Sequence, residues 1–385
     1  MGDRTRRAAW VCIGLLSAAS ATPCLASAYS DFNTAIALRE SDLCERAVPF
    51  FSSAIAQPGL LADLRPVAFL ARGQCYSQLK KADLALADFN QAIALRPDYY
   101  DAFLARGMEY ARKDAYDNAI SDVGAAIRIR PDLPKGYNGM AYLHMRQKKY
   151  DDVVADFTKL VSLDIDLPEA YYFRANAYIR KGDMGAAMDD ADKLVSMDRK
   201  WTLGFIMRGR IYQHQGRFSR AVDAFDDALE LQQTDIQALF GKGVAQWSDG
   251  DFDKADTTLT ALAPYSPKDA YPLLWLDIAR FSGGKPDADL AKRAQAIDLK
   301  TWPGPLVSLY LGQSTPEAAS LAAQEGEATD RDGQVCEARF YVGEWQLQHQ
   351  AKDAALALLN QAAQDCPREN VERDAATVEL KRLKT

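Results

Sequence analysis

From Pro66 to Asp269 the chain repeats itself every 34 residues without an insertion or a deletion. A fixed period of about 20 to 50 residues confines a chain to stacked copies of one supersecondary unit. In this frame the modules start at residues 66, 100, 134, 168, 202 and 236. The eighth place is small: Gly73, Gly107, Ala141, Ala175, Gly209 and Gly243. Twelve residues on come Ala85, Ala119, Val153, Ala187, Ala221 and Ala255. Four further on, Phe89, Val123, Phe157, Phe225 and Leu259 are bulky, with Ala191 the exception, and Ala92, Ala126, Leu160, Leu194, Ala228 and Leu262 follow three beyond. Small groups let two antiparallel helices approach closely while larger ones fill the gap to the next pair. Tyr76, Tyr110, Tyr178 and Tyr212 recur at the eleventh place, and Pro97, Pro131 and Pro267 stand where a helix must stop.

These residues resemble the tetratricopeptide repeat. The resemblance implies an all-α solenoid of antiparallel helix hairpins in a right-handed superhelix, with an inner groove that holds other proteins. At 385 residues, 48% apolar and 26% charged, the chain is long enough for one solenoid or two globular domains. The unbroken period selects the solenoid, whose core is a ribbon between neighbouring modules with no single buried centre.

Residues 1–28 read as a secretory signal. Arg4, Arg6 and Arg7 precede an apolar run from Ala8 to about Ala21, and Ala26, Ser27 and Ala28 give a small-x-small cleavage pattern. The run falls short of the ~20 residues that span a bilayer. Cleavage before Tyr29 removes three arginines and Asp3, a net of +2, so the formal charge moves from −7 to −9. That balance excludes a nucleic-acid binder, which needs a basic stripe.

Four cysteines remain after the signal. Cys336 opens one terminal helix and Cys366 closes the next, and Cys44 and Cys75 stand in the same relation near the other end. The expected bonds are Cys44 to Cys75 and Cys336 to Cys366, stapling each end of the stack; the alternative is four free buried thiols. No pair has zinc-site spacing.

A looser first module occupies 28 to 61, giving a solenoid over 29–269, and Leu60 to Arg65 interrupts the period. A degenerate helical segment over 270–335 follows: an apolar helix over Tyr271 to Phe281, a helix over Asp287 to Ala296, and a short one over Leu306 to Leu311. Ser314 is the expected N-cap of the next helix, with Pro316 and Glu317 behind it. The last module resumes at Cys336, and Val371 to Leu383 reads as a solvating cap helix within 336–385. Trp302 to Gly312, Thr315-Pro316-Glu317, Cys336 to Glu344 and Glu379 to Leu383 resemble the tail of the NlpI-type repeat lipoproteins of Gram-negative bacteria. That resemblance implies an envelope adaptor that presents clients such as cell-wall hydrolases to a periplasmic protease. Lipid anchoring is not carried over, because Cys24 follows Ala21-Thr22-Pro23.

The seventh place is basic at Arg72, Arg106, Arg174, Arg208 and Lys242, and sixteen residues beyond the first three stand Asp88, Asp122 and Asp190. These read as ion pairs between the helices of a hairpin, worth at most about 1 kcal/mol each if exposed. The thirteenth place gives Arg112, Arg146, Arg180 and His214, and the ninth Tyr142, Asn176 and Arg210. Such a ladder suits an acidic peptide or a chain-terminal carboxylate. Tyr172, Phe240 and Trp247 are the candidate apolar anchors. The lysine and asparagine set with which some repeat proteins grip carboxylates is not reproduced: the places read Leu70, Gln74, Leu104, Lys135 and Asn138.

No catalytic motif, phosphate loop or metal set stands out, and no cofactor is expected. His144 takes an aromatic core place and reads as a packed histidine. The acidic pairs Asp151-Asp152, Asp189-Asp190 and Asp226-Asp227 diverge around a helix and make poor calcium clamps. The expectation is a non-catalytic, exported periplasmic adaptor with protein or peptide partners; the pairing of two copies stays open. The alternatives are a structural subunit of an envelope or secretion complex and, from another class, a regulatory subunit or an enzyme with hidden chemistry.

Overall fold

The computed structural model describes residues 23–163, 167–198, 201–285, 288–326 and 330–384, and every regular element among them is helical. The chain divides into two units, 1–143 and 144–385. The first holds α1 (Pro23–Glu40) and α2 (Cys44–Ala56), then α3 (Leu64–Gln78) and α4 (Ala82–Leu95), then α5 (Tyr100–Arg112) and α6 (Tyr116–Ile129). Helix α7 (Pro134–Arg146) carries the division.

The second unit continues with α8 (Tyr150–Ser162), the pairs α9 (Pro168–Lys181) and α10 (Met184–Met197), α11 (Thr202–His214) and α12 (Phe218–Leu231), and α13 (Ile236–Asp249) and α14 (Phe252–Leu262). After α15 (Ala270–Ser282) come the short α16 (Leu290–Arg293), α17 (Gly304–Tyr310) and α18 (Pro316–Ala322). A full pair closes it, α19 (Arg331–Gln348) and α20 (Lys352–Asp365), followed by α21 (Val371–Arg382).

A left-handed residue recurs with the period. Lys80, Asp114, Lys148, Gly182, Gly216, Gly250 and Gly284 all have positive φ. After each, the next N–H donates to a carbonyl five residues back, as Lys81 does to Tyr76 at 2.8 Å and Arg217 to Tyr212 at 2.9 Å. This bond satisfies a carbonyl that the helix end leaves free and turns the chain into the second helix. Gly284 keeps the spacing, so α15 is the first helix of one more copy whose second helix has been lost.

The seventh-place basic residues are more than surface pairs. Arg72 donates to both carboxylate oxygens of Asp88, each at 2.7 Å, and Arg106 does the same to Asp122; Arg174 grips Asp190 at 2.6 and 2.9 Å. The expected ion pairs within each hairpin therefore form, and because the three aspartates are buried the ~1 kcal/mol limit for exposed pairs does not apply to them. The same guanidinium groups also reach the preceding hairpin, Arg106 to Asn90 at 2.7 Å and Arg174 to Thr158 at 3.2 Å. Where the aspartate gives way to Ala224 and Thr258, the basic residue turns wholly to that neighbour: Arg208 to Asp192 at 2.6 Å and Lys242 to Asp226 at 2.5 Å. In the remaining module Met140 replaces the arginine and His144 Nδ1 sits 2.7 Å from Asp156. That histidine is a half-buried hydrogen-bond partner of Asp156 and not the packed core group expected.

Within the first unit the apolar contacts form separate clusters along the stack, around Phe51, Phe89 and Val123. In the second, α13 to α21 share one core, in which Trp247 and Trp275 meet edge to face at 5.3 Å and Phe340 lies 5.2 Å from Trp275. A single buried centre therefore does exist there, against the ribbon expected throughout. The helix expected over 287–296 shrinks to α16 and a 3-10 turn, and Asp287 lies outside the described residues. Thr315, not Ser314, caps α18: its Oγ1 accepts the Ala318 N–H at 3.3 Å. Residues 1–22 of the expected signal lie outside the described residues, and α1 runs through the expected cleavage point with Ala28 buried.

Candidate binding cavity

The expected ladder lies on the first helices of successive modules, and in the second unit the chain's own carboxyl-terminal segment meets it. Arg180 on α9 pairs with Glu369 at 2.8 Å. On α11, His214 Nδ1 is 2.6 Å from Asp374 Oδ2. At the end of α13, Arg382 donates to the carbonyls of Trp247 and Ser248 and lies over the Trp247 ring, 4.4 Å from its centroid. Lys148, ahead of α8, adds a pair with Asp332 at 2.5 Å. The thirteenth places 180, 214 and 248 thus each touch the segment that follows α20. Helix α21 is not merely a solvating cap; together with Glu369 just ahead of it, it clasps three modules of its own unit.

Behind the clasp is a cavity of about 540 Å³. Tyr172, Arg210 and His214 reach it from α9 and α11, and Gln237 and Phe240 from α13. Tyr271, Glu337, Glu369 and Glu372, from α15, α19 and the segment after α20, complete the lining. Arg210 Nη1 donates to Asn176 Oδ1 at 3.1 Å, and the Asn176 amide is itself held by the Tyr172 carbonyl at 2.8 Å. Burial pushes the Arg210 pKa down and nearby Arg180 adds to that, while Tyr172 and Glu369 oppose it. Glu337 Oε2 accepts from the Tyr271 hydroxyl at 2.6 Å and from the Trp302 indole N–H at 2.7 Å. Its pKa is raised by burial against those two bonds. Glu372 accepts from Tyr341 at 3.2 Å, and burial together with the Glu337 charge pushes it up to about 8. Burial also sends the Tyr271 hydroxyl far above its ordinary value.

Tyr172, Arg210, His214 and Phe240 therefore meet at one cavity, with Asn176 hydrogen-bonded to Arg210. Trp247 is not with them: it is wholly buried, and its indole N–H donates to Ser282 Oγ at 3.0 Å. Its place as an anchor is corrected, because the clasp and α15 cover it. Arg180 faces Glu369, which was not foreseen as its partner. Arg146 is exposed on the last turn of α7. In the first unit Tyr142 is exposed on α7, and Arg112 reaches Glu109 at 2.5 Å and Ser77 at 2.6 Å. Among the described residues no three His, Cys, Asp or Glu side chains are grouped to hold a metal, and no helix is long and apolar enough to cross a membrane.

Tetratricopeptide repeat family models match residues 67–99, 168–200 and 206–270. In structure, the chain is similar to the C-terminal part of a TPR repeat-containing protein from Cytophaga hutchinsonii, with 17% identity and a TM-score of 0.53 over 64% of this chain and 99% of that one. The chain carries tetratricopeptide repeats. Further similar structures are a tetratricopeptide repeat protein from Parabacteroides merdae (16% identity, TM-score 0.49, 73% of this chain and 98% of that one) and PilW, a type IV pilus biogenesis factor (16%, 0.44, 54% and 96%).

In this TPR protein the cysteines stand as expected. Cys44 Sγ lies 2.28 Å from Cys75 Sγ, and Cys336 Sγ lies 2.08 Å from Cys366 Sγ. What sequence reasoning missed is the acidic part of the cavity lining, Glu337, Glu369 and Glu372. Glu372 falls where the pattern of Val371 to Leu383 reads as an exposed helix, and Glu337 sits beside Cys336 with no repeat mate to compare it with. The one signal was the apolar setting of Glu337, between Trp302 and Tyr271, visible only once those residues are known to be neighbours.

Proposed function

We propose that this TPR protein is a non-catalytic, exported adaptor that holds polypeptide clients in the bacterial envelope. Tetratricopeptide repeats are protein-interaction scaffolds, and the observation that carries the reading is the convergence of Tyr172, Arg210 and Phe240 on one cavity of the second unit. Aromatic and arginine side chains are the groups that dominate binding energies at such surfaces. The two cysteine pairs suit an oxidising compartment. The resemblance of the carboxyl third to the NlpI-type lipoproteins adds clients such as cell-wall hydrolases.

Site-specific photo-crosslinking in the intact envelope tests this, with the reactive group at Arg112 in one unit and Gln237 in the other, both exposed. The adaptor reading expects defined partner proteins whose capture at Gln237 falls with Phe240→Ala. Stoichiometric recovery of one fixed assembly, unchanged by that substitution, would favour a permanent structural subunit. An absence of any captured chain at either position would end both readings.

A further inference from the structure

The cavity of the second unit holds charges of both signs that do not neutralise each other. Arg210 forms no ion pair with a described residue; its hydrogen-bond partners are the neutral Asn176 and Tyr172. The carboxylate that acts on it, Glu369, is already engaged by Arg180 at 2.8 Å. Glu337 is held only by an indole N–H and a hydroxyl, and Glu372 by a hydroxyl and its own backbone N–H. Arg180, Glu369 and Tyr172 act on Arg210, whereas Glu337 acts on Glu372. The cavity lining thus carries a cation, Arg210, and a carboxylate, Glu337, each lacking a counter-ion.

Isolated charges out of water are costly and persist where something else compensates them. The volume, about 540 Å³, falls within the roughly 300–1,000 Å³ of cavities that hold small ligands. Phe240, Tyr172 and Tyr271 supply apolar and aromatic walls.

We propose that this cavity binds a short peptide with both ends free, its terminal carboxylate on Arg210 and its ammonium group on Glu337, with Tyr271 positioning Glu337. The ammonium group shares the Glu337 carboxylate with the Trp302 and Tyr271 donors and gains the aromatic face of Tyr271. The inference deepens the adaptor reading by naming the ligand of its cavity. It does not need a protein client, so the two fail separately: capture at Gln237 without peptide binding would leave the adaptor standing.

The probe is an equimolar mixture of tripeptides with free ends, varied at every position, against the same mixture amidated at the carboxyl end and the same mixture acetylated at the amino end. The full chain is incubated with each, separated by ultrafiltration, and the retained peptides are measured by mass spectrometry. Free-ended members are expected to be retained at least tenfold more than either blocked form. Arg210→Gln should remove the preference for a free carboxylate, and Glu337→Gln the preference for a free amine, each leaving the other in place. Retention of none, or equal retention of blocked and free peptides, overturns the proposal. Thermal unfolding of the unliganded variants supplies a second readout. A binding arginine without a counter-ion should be replaceable with an unchanged or higher Tm, and a Tm lowered by more than about 5 °C in Arg210→Gln would mark it as a structural group and overturn the proposal.

Discussion

At the scale of single residues, burial decides what the repeated charges do. Asp122 is about 6% exposed and is gripped by both arms of Arg106, so Arg106→Ala leaves a buried carboxylate without its cation. Removing one partner of such a pair costs about 3–5 kcal/mol, far above the ~1 kcal/mol of an exposed one. Chemical denaturation of the variant should read a loss in the larger range; a loss below about 1 kcal/mol would mean that water reaches Asp122. Gly216 is a simpler case. Its φ is +68° and nothing lies within 4 Å of an added Cβ, so Gly216→Ala isolates the backbone cost, about 1 kcal/mol. Glu372 gives a pH signature. With a folded pKa of about 8 against an ordinary 4.5, the folded chain holds a proton that the unfolded chain has lost. Stability should therefore fall as pH rises between those values and level off above the upper one. Glu337 and Asp374 raise the Glu372 pKa in the same direction, and the Tyr341 bond opposes them. Glu372→Gln should flatten the Tm profile between pH 5 and pH 8; an unchanged slope would show that Glu372 is ionised when folded.

At the scale of helices, most of the fold was legible because each module repeats the same steric arguments. An added Cβ at Gly209 would stand 2.6 Å from the Phe225 ring, and one at Gly243 2.6 Å from Leu259, which is the small-against-large pairing read from the period. The hairpins follow from it. The segment after Asp269 was less legible because it has no copies: α15 keeps only the left-handed Gly284, and Thr315 displaced Ser314 as a cap. The binding face was half legible. Spacing alone placed Tyr172, Arg210 and Phe240 on one side, yet spacing carries no information about which distant segment covers a face, so the burial of Trp247 and the pairing of Arg180 and His214 were out of reach. The cysteine pairs belong to this scale too. Each closes a loop of about 30 residues, and by loop-closure entropy Cys336→Ser with Cys366→Ser should cost about 3 kcal/mol. Unfolding with and without reductant measures it; an unchanged midpoint would mean the thiols are not joined.

At the scale of the molecule, the two units differ in kind. The first keeps its apolar contacts in local clusters, as expected when stability sums over neighbours. The second gathers α13 to α21 into one core and fastens the segment after α20 back onto α9, α11 and α13 through Glu369, Asp374 and Arg382. A chain ending at residue 366 should lose this fastening, uncover Trp247, and show enhanced binding of an apolar dye with a red-shifted tryptophan emission. Unaltered emission would mean that the core holds without its clasp.

The clasp also bears on how such a chain can change over evolution. An open array tolerates the gain or loss of a unit, since each end simply moves along by one step. Here the partners on both sides of the contact are fixed by count: slipping in one extra 34-residue copy between α9 and α13 would carry Arg180 out of reach of Glu369 while His214 or Ser248 stayed near. The second unit is therefore bound to its present number of copies, and variation in length among descendants of this gene should fall before residue 144.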